Sequence, residues 1–314
     1  MKIERVGIIG CGSIGSLFAA HLSREVEVWG FVRREEHARS LNEEGLRVSG
    51  SHEFHAELQA TTDPDEFPPC DLGIVSTKAT QTSTAFPPVA NKFNDGAVYS
   101  SENGLGAEEI IFEHTDGYVI RGTTFMSGTR HHDTHVEYEL VESSWLGPYE
   151  PANTPYDCVQ SAADLIEQSG LKAEALRDAR SAQWSKLIFN ASVNSVSALT
   201  GLPHSPHFAD RDDFSGLGHL LKDLVEEGRR VANQLGIELH DNPWEMNKKG
   251  AQTNHPTSML QDVRKQYPTE NDFLSGAIAD AADEHGIDAP LHTAIYRLLK
   301  GKEDSWEWDE GTNQ

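Results

Sequence analysis

A glycine-rich loop near the amino terminus constrains the fold of this 314-residue chain more than any other feature. Residues 10–15 match the pattern GxGxxG. They follow an apolar run of strand length at residues 3–9 and open a stretch with helical spacing of apolar residues at 14–22. A strand, such a loop and a helix in this order are typical of a dinucleotide-binding βαβ unit, in which the helix amino terminus faces the pyrophosphate. The loop residues predicted to bind the dinucleotide are Gly10, Cys11, Gly12, Ser13, Ile14 and Gly15.

Two arginines after the second predicted strand indicate which dinucleotide binds. The strand covers residues 26–32, and Arg33 and Arg34 follow it. An NAD site usually carries Asp or Glu here, bonded to the ribose 2′-hydroxyl, whereas an arginine pairs bidentately with a 2′-phosphate. Arg33 therefore predicts NADP. The alternative is a solvated arginine pair neutralised by Glu35 and Glu36.

Strand and helix patterns alternate through the first half of the chain. Further apolar runs of strand length lie at residues 71–75, 97–101 and 119–123, and the less regular stretch 136–147 is interpreted as a hairpin at the sheet edge. Such alternation is typical of a parallel sheet with right-handed crossovers. The predicted fold class is α/β, with a Rossmann-type parallel-sheet domain over residues 1–176.

The second half of the chain has helical patterns in place of strands. The predicted helices cover residues 183–199, 216–235, 258–266 and 270–285. Thr269 and Asp272 are predicted to cap the last of them and Gly286 to end it. Residues 177–314 are therefore predicted to form an all-helical domain.

The charge balance excludes two classes of partner. Lys and Arg number 26 and Asp and Glu number 50, which gives a net charge of −24. This charge repels phosphate backbones and anionic lipids, so neither nucleic acid nor a membrane surface is expected as a partner. The apolar runs are too short for a spanning helix or a signal peptide, and the three cysteines are widely spaced without a CxxC pair. The expected location is the cytoplasm.

A polar stripe marks the first helix of the second half. Lys186, Asn190 and Asn194 recur every four residues, which places them along one side of a helix. Leu187 and Ile188 point in other directions, toward a core. Because asparagine is a poor choice for an exposed helix interior, a functional polar face is favoured over a solvated stripe.

These features together resemble the ketopantoate reductases (2-dehydropantoate 2-reductases). The resemblance runs from the glycine loop to about residue 300. The segments that carry it are GCGSIG, Arg33 after the second strand, STKA around Lys78, ENGLG around Asn103, RGTT at residues 121–124, WSKLIFNASVNSVSAL around Lys186, and SMLQDV followed by TE and Asp272 from Ser258 onward. The family fold is a Rossmann domain followed by a helical domain, with the active site in the cleft between them.

The resemblance implies that NADPH reduces 2-dehydropantoate, a small 2-keto acid, to (R)-pantoate in pantothenate and coenzyme A biosynthesis. Lys186 is then the general acid, and Glu270 its acidic partner, which either positions Lys186 or bonds a substrate hydroxyl. Lys78 and Asn103 are implied to lie at the cofactor. The implied substrate ligands are Asn103, Asn190 and Asn194 for hydroxyl groups and Ser258 for the carboxylate. Family members are often homodimers and need no metal, so the histidine-rich stretch at residues 131–135 is not expected to bind one.

The chain departs from the family pattern at a few positions, and two other functions stay open. Glu102 stands where neutral Gln or His is usual, and Asn271 replaces an apolar residue. The first alternative is a related hydroxy acid dehydrogenase acting on another 2-keto acid, which the segment from Ser258 to Glu270 argues against. The second is a non-catalytic NADP-sensing protein, which would not need Lys186, Glu270 and Ser258 together.

Overall fold

The computed structural model describes residues 1–210 and 216–307, and the chain divides into two compact units. Unit 1 comprises Met1–Glu102 and Gly106–Arg180, and unit 2 comprises Asn103–Leu105 and Ser181–Gln314. The short segment Asn103–Leu105 thus packs with the helical unit although both of its neighbours in sequence belong to unit 1.

Unit 1 contains the strands and the first five α-helices of the described residues. The strands are β1 (Arg5–Ile9), β2 (Glu27–Phe31), β3 (Leu46–Gly50), β4 (Phe54–Ala56), β5 (Gln59–Thr61), β6 (Leu72–Val75), β7 (Ala97–Ser100), β8 (Tyr118–Thr124), β9 (Ser127–His132), β10 (His135–Leu140), β11 (Ser144–Pro148) and β12 (Ala173–Ala175). The helices are α1 (Ser13–Leu22), α2 (Glu35–Glu44), α3 (Thr82–Ala85), α4 (Ala107–Phe112) and α5 (Tyr156–Gln168).

Eight strands form one sheet in the order β12–β11–β8–β7–β6–β1–β2–β5. All neighbours from β5 to β8 are parallel, and β11 runs antiparallel to β8. Side chains of the central strands alternate between two hydrophobic clusters, Ile8 and Ile74 in one and Ile9 and Val75 in the other. Because both faces are covered, these strands are continuous apolar runs, which is why the sequence reveals them. The predicted α/β fold class is confirmed.

A second sheet of four strands, in the order β4–β3–β10–β9, was not foreseen. The predicted hairpin over residues 136–147 is wrong: β10 pairs with β9 and β3 in the small sheet, whereas β11 pairs with β8 in the large one. Strand β3 has only alternate buried residues and β4 is three residues long. Such short, half-exposed strands leave little local signal, and the pairing of β3 with β10, which joins the two hairpins, is distant in sequence.

Unit 2 is helical in its described part. Its helices are α6 (Arg180–Thr200), α7 (Leu217–Gln234), α8 (Pro243–Gly250), α9 (Ser258–Arg264), α10 (Ser275–Glu284) and α11 (Pro290–Asp304). Helix α6 is buried along most of its length and contributes Trp184, Leu187, Ile188 and further apolar residues to the hydrophobic cluster of this unit. No helix in the described ranges is long and apolar enough to cross a membrane.

The predicted helix over residues 270–285 is wrong in its first turn. Asn271–Phe273 forms a 3-10 turn, and α10 begins only at Ser275 with Leu274 at the N-cap position. Thr269 caps no α-helix here: its hydroxyl oxygen accepts from the Asn271 N–H of the 3-10 turn, while its hydroxyl and backbone N–H donate to Glu303 of α11 and not to Asp272. A long-range contact thus replaces the local capping box that the sequence suggests.

Candidate active site

The glycine loop joins the carboxyl end of β1 to the amino terminus of α1. Gly10 has a φ of 90°, and a Cβ there would lie 2.6 Å from Cγ2 of Thr77, so the turn requires glycine. A Cβ on Gly15 would lie 2.0 Å from the carbonyl oxygen of Gly10, which shows how closely the loop and helix pack. A Cβ on Gly12 would meet only the carbonyl oxygen of Ser76, at 4.0 Å. The loop is therefore closely packed at its ends and open at its centre, beside the amino terminus of α1.

The other loop residues support this geometry. Cys11 is buried, and burial raises the pKa of its thiol to about 12, so the thiol stays neutral at pH 7. Its sulfur packs against Gly30 of β2, where a Cβ would come within 2.9 Å. The Ser13 hydroxyl accepts from the backbone N–H of Arg130 over 3.3 Å. Ile14 packs against the hydrophobic cluster of this unit.

The two arginines after β2 have different surroundings. Arg33 is exposed and forms no ion pair with any residue in the described part of the chain. Arg34 donates from Nη2 to Oδ1 of Asp133 over 2.5 Å. Within the same ranges, neither Glu35 nor Glu36 pairs with Arg33 or Arg34. The Arg33 guanidinium is therefore available to an anionic ligand.

A third guanidinium near the loop, that of Arg130 on β9, was missed by the sequence analysis. Its Nη1 donates to Oδ1 of Asp133 over 3.0 Å, and its charge acts to lower the pKa of the Cys11 thiol, against the larger effect of burial. Arg130 lies 117 positions from its partner Ser13, so no local signal could have placed it there.

The ends of β6 and β7 carry a second group of polar residues in unit 1. Lys78 follows β6 and is partly buried. Glu102 follows β7 and is buried, and Oε1 of its carboxylate accepts from the Thr77 hydroxyl over 2.7 Å and the Thr82 hydroxyl over 2.6 Å. The carboxyl ends of parallel strands are where open α/β sheets bind ligands. Lys78 and Glu102 thus share the sheet edge that bears the glycine loop.

Unit 2 brings three of the predicted site residues into one hydrogen-bonded chain. Nδ2 of Asn103 donates to Oε2 of Glu270 over 3.4 Å, and Oδ1 of Asn103 accepts from Nδ2 of Asn190 over 3.4 Å. Asn190 and Glu270 are 6% and 5% exposed. The backbone holds Asn103 there as well, because the Leu105 N–H donates to the Phe273 carbonyl over 3.1 Å.

Lys186 lies one turn before Asn190 on α6 and adds an ammonium group that interacts electrostatically with Glu270 of this cluster. Burial lowers the pKa of its ammonium group to about 8, and the nearby carboxylate of Glu270 partly opposes that shift. A lysine with this pKa exchanges protons readily near neutral pH, as a general acid must.

Two other predicted substrate ligands are not hydrogen-bonded to this cluster in the described structure. Asn194 lies one turn beyond Asn190 on α6 and is 8% exposed. Ser258 is exposed at the first position of α9, where Thr257 and not Ser258 caps the helix by accepting from the Leu260 N–H over 3.2 Å.

The histidine-rich stretch lies on the β9–β10 hairpin. The rings of His131 and His135 are 4.9 Å apart, and Nε2 of His131 contacts Glu137 over 2.8 Å. In the residues that the structure describes, no group of three or more His, Cys, Asp or Glu side chains is arranged to hold a metal ion.

Comparisons with known proteins agree on one family. The family model described as "Ketopantoate reductase PanE/ApbA" matches residues 6–151, and "Ketopantoate reductase PanE/ApbA C terminal" matches residues 178–303. The 2-dehydropantoate 2-reductase of Archaeoglobus fulgidus is 28% identical over 309 residues, which cover 96% of this chain and 99% of that protein. The enzyme of the same name from Halobacterium salinarum is 27% identical over 308 residues, covering 94% and 98%.

Two solved structures show the same fold. The 2-dehydropantoate 2-reductase from Methylococcus capsulatus matches with a TM-score of 0.84 at 22% identity, covering 98% of this chain and 100% of that one. The ternary structure of D-mandelate dehydrogenase with NADH and anilino(oxo)acetate matches with a TM-score of 0.85 at 23% identity, covering 97% and 100%.

Proposed function

This chain belongs to the ketopantoate reductase family, and we propose that it reduces 2-dehydropantoate to (R)-pantoate with NADPH. Relatives named 2-dehydropantoate 2-reductase that align over nearly the whole chain support the substrate. In this proposal residues 1–176 bind NADP and residues 177–314 bind and protonate the substrate. The proposed reaction is a step of pantothenate and coenzyme A biosynthesis, and we propose that it takes place in the cytoplasm.

The residues of unit 1 fit a nicotinamide dinucleotide with a 2′-phosphate. The open space at Gly12, beside the amino terminus of α1, suits a pyrophosphate, because backbone N–H groups and the helix dipole favour an anion there. Arg33 is exposed at the end of β2, where a carboxylate would select NAD. Lys78 is a further proposed cofactor ligand of unit 1, and Asn103 of unit 2 is proposed as another. When bound, the reduced nicotinamide supplies the hydride.

The observation that carries the proposal is the environment of Lys186. Lys186 lies on α6 one turn before the buried Asn190, burial lowers the pKa of its ammonium group to about 8, and the nearby carboxylate of Glu270 partly opposes that shift. As hydride reaches the carbonyl carbon of a 2-keto acid, negative charge grows on the carbonyl oxygen. Lys186 stabilises that charge and donates a proton to the oxygen, which yields the hydroxyl group of the product.

The amide groups around Lys186 are suited to orienting the substrate. Asn103, Asn190 and Asn194 offer donors and acceptors to its hydroxyl group, and Ser258 is the proposed ligand of its carboxylate. Glu270 positions Lys186 or accepts from a substrate hydroxyl. Its bond to Asn103 supports the first role, since that bond orders the carboxylate before any substrate arrives.

The experiment that tests this function is an NADPH-oxidation assay on a panel of 2-keto acids. The panel contains 2-dehydropantoate, its close branched analogues and benzoylformate, the keto acid that corresponds to mandelate. Highest kcat/KM on 2-dehydropantoate is expected. Highest kcat/KM on another keto acid would favour the related dehydrogenase instead, and NADPH binding without turnover on any of them would favour the sensor.

A further inference from the structure

We propose that Glu303 of α11 is a positioning residue for Glu270, and through it for Lys186, an inference that rests on the proposed function. Glu303 lies 33 positions beyond Glu270 and is no part of the polar stripe on α6. Its side chain is 15% exposed, so its carboxylate is largely withdrawn from solvent.

Glu303 holds the residue directly before Glu270. Its Oε1 accepts from the backbone N–H of Thr269 over 2.8 Å and from the Thr269 hydroxyl over 2.5 Å. Thr269 is 2% exposed, and its hydroxyl oxygen in turn accepts from the backbone N–H of Asn271 over 3.3 Å. One carboxylate on α11 thus orders the backbone on both sides of Glu270.

The neighbours on the other side of Glu270 also face α11. Nδ2 of Asn271 donates to the carbonyl oxygen of Tyr296 over 3.0 Å, and the Tyr296 hydroxyl donates to Asp272 over 2.9 Å. Glu270 is the residue of this segment whose side chain bonds to Asn103 instead. Residues 269, 271 and 272 therefore anchor the segment to α11, while residue 270 faces the candidate active site.

The segment needs such anchoring because no regular helix holds it. Helix α9 ends at Arg264, α10 begins at Ser275, and only the 3-10 turn Asn271–Phe273 lies between them. Without i to i+4 hydrogen bonds, the place of the Glu270 carboxylate depends on tertiary contacts. The attraction between Glu270 and Lys186 weakens as they separate, so a displaced Glu270 supports a protonated lysine less well.

The experiment compares Glu303→Ala, Glu303→Gln and Asp304→Ala, each alone and together with Glu270→Ala. Asp304→Ala removes a carboxylate from the next, exposed position of the same helix and is the matched control. The measurements are kcat and KM for 2-dehydropantoate with NADPH, the pH above which kcat falls, and the thermal unfolding midpoint. Lys300, whose Nζ lies 3.6 Å from Glu303, stays unchanged throughout.

We expect Glu303→Ala to lower kcat about tenfold. The pH above which kcat falls, the basic limb of the profile, should move to a lower value, as it should in the Glu270→Ala variant. Glu303→Gln should retain most activity, because its amide oxygen accepts the same two hydrogen bonds. In the Glu270→Ala background, Glu303→Ala should lower kcat by less than about twofold, since the group that it positions is gone.

A loss of the same size in both backgrounds, or failure of Glu303→Gln to retain activity, would overturn the inference. If Glu303→Ala does not fold, Thr269→Val removes the hydroxyl that bonds to Glu303 and accepts from the Asn271 N–H, but keeps the backbone bond to Glu303. It should move the basic limb of kcat to lower pH as well, and an unshifted limb contradicts the proposal. Normal activity of Lys186→Ala and Glu270→Ala would instead refute the proposed function itself, so the two failures are distinguishable.

Discussion

Asn103 and Glu270 are joined by a hydrogen bond that spans 167 positions of sequence, from Nδ2 of the amide to Oε2 of the carboxylate over 3.4 Å. The same amide accepts from Asn190 through its oxygen. An asparagine can donate and accept at once, so Asn103 links α6 to the turn that bears Glu270. The Glu270 carboxylate is therefore ordered by a residue from a three-residue segment, Asn103–Leu105, that packs with the helical unit.

Replacing Lys186 tests the proposed general acid. Lys186→Ala should lower kcat on 2-dehydropantoate by about 100-fold or more, because proton donation and charge stabilisation are both lost. NADPH affinity, measured by fluorescence titration, should change little. Lys265→Ala, which removes the same charge from an exposed position after α9, is the control and should behave like wild type. Near-normal kcat in a folded Lys186→Ala protein would contradict the assignment.

The pH dependence of kcat should follow the ionisation of Lys186. A general acid works only while protonated, so kcat should fall as pH rises through about 8, the pKa that burial gives this ammonium group. Glu270→Gln removes the carboxylate that raises this pKa, and the basic limb should move to lower pH. Steady-state rates from pH 6 to 10 provide the measurement. A limb that stays in place would show that Glu270 does not act on Lys186.

Cofactor preference should depend on Arg33. Wild type is expected to prefer NADPH, and Arg33→Asp should reverse or abolish the preference, because a carboxylate repels the 2′-phosphate and bonds a free 2′-hydroxyl. The measurement is the ratio of kcat/KM for NADPH and NADH. Arg39→Asp makes the same change at another exposed arginine, on α2, and should leave the ratio near that of wild type. Equal use of NADH by wild type would refute the NADP assignment.

Two buried histidines should make the protein acid-sensitive. Burial lowers the pKa of His21 and of His292 to about 4, from an unfolded value near 6.5. Since folding favours their neutral forms, the stability that they contribute is complete above pH 6.5 and is lost as pH falls toward 4. For each group the loss is on the order of 3 kcal/mol in free energy of unfolding across that range.

Urea unfolding at pH 7.5 and pH 5.0 provides the test of this acid sensitivity. His292→Gln should weaken the pH dependence of the unfolding free energy, because one of the two titrating groups is removed. His219→Gln, at an exposed position of α7, should leave the pH dependence unchanged. Equal pH dependence in wild type and His292→Gln would show that His292 is not held neutral.

Local patterns were sufficient to predict the parts of the fold that are built from neighbours in sequence. The strand at residues 3–9 corresponds to β1, and the helix at 14–22 corresponds to α1, with Gly12 at its N-cap position. The helix predicted at residues 183–199 corresponds to α6, on which Lys186, Asn190 and Asn194 share a side. The spacing of apolar residues and the identity of turn residues are enough to predict such elements. In buried strands and amphipathic helices the apolar residues recur at fixed short intervals.

Contacts between distant residues were decided only by the tertiary structure. No local pattern could place Arg130 beside Ser13 of the glycine loop or Glu303 against Thr269, and the capping box predicted at Thr269 gave way to that second contact. The side chain of a polar residue has several possible partners of similar chemistry. The partner that the side chain contacts depends on how strands and helices pack. That packing cannot be predicted from the few residues on either side of it in sequence.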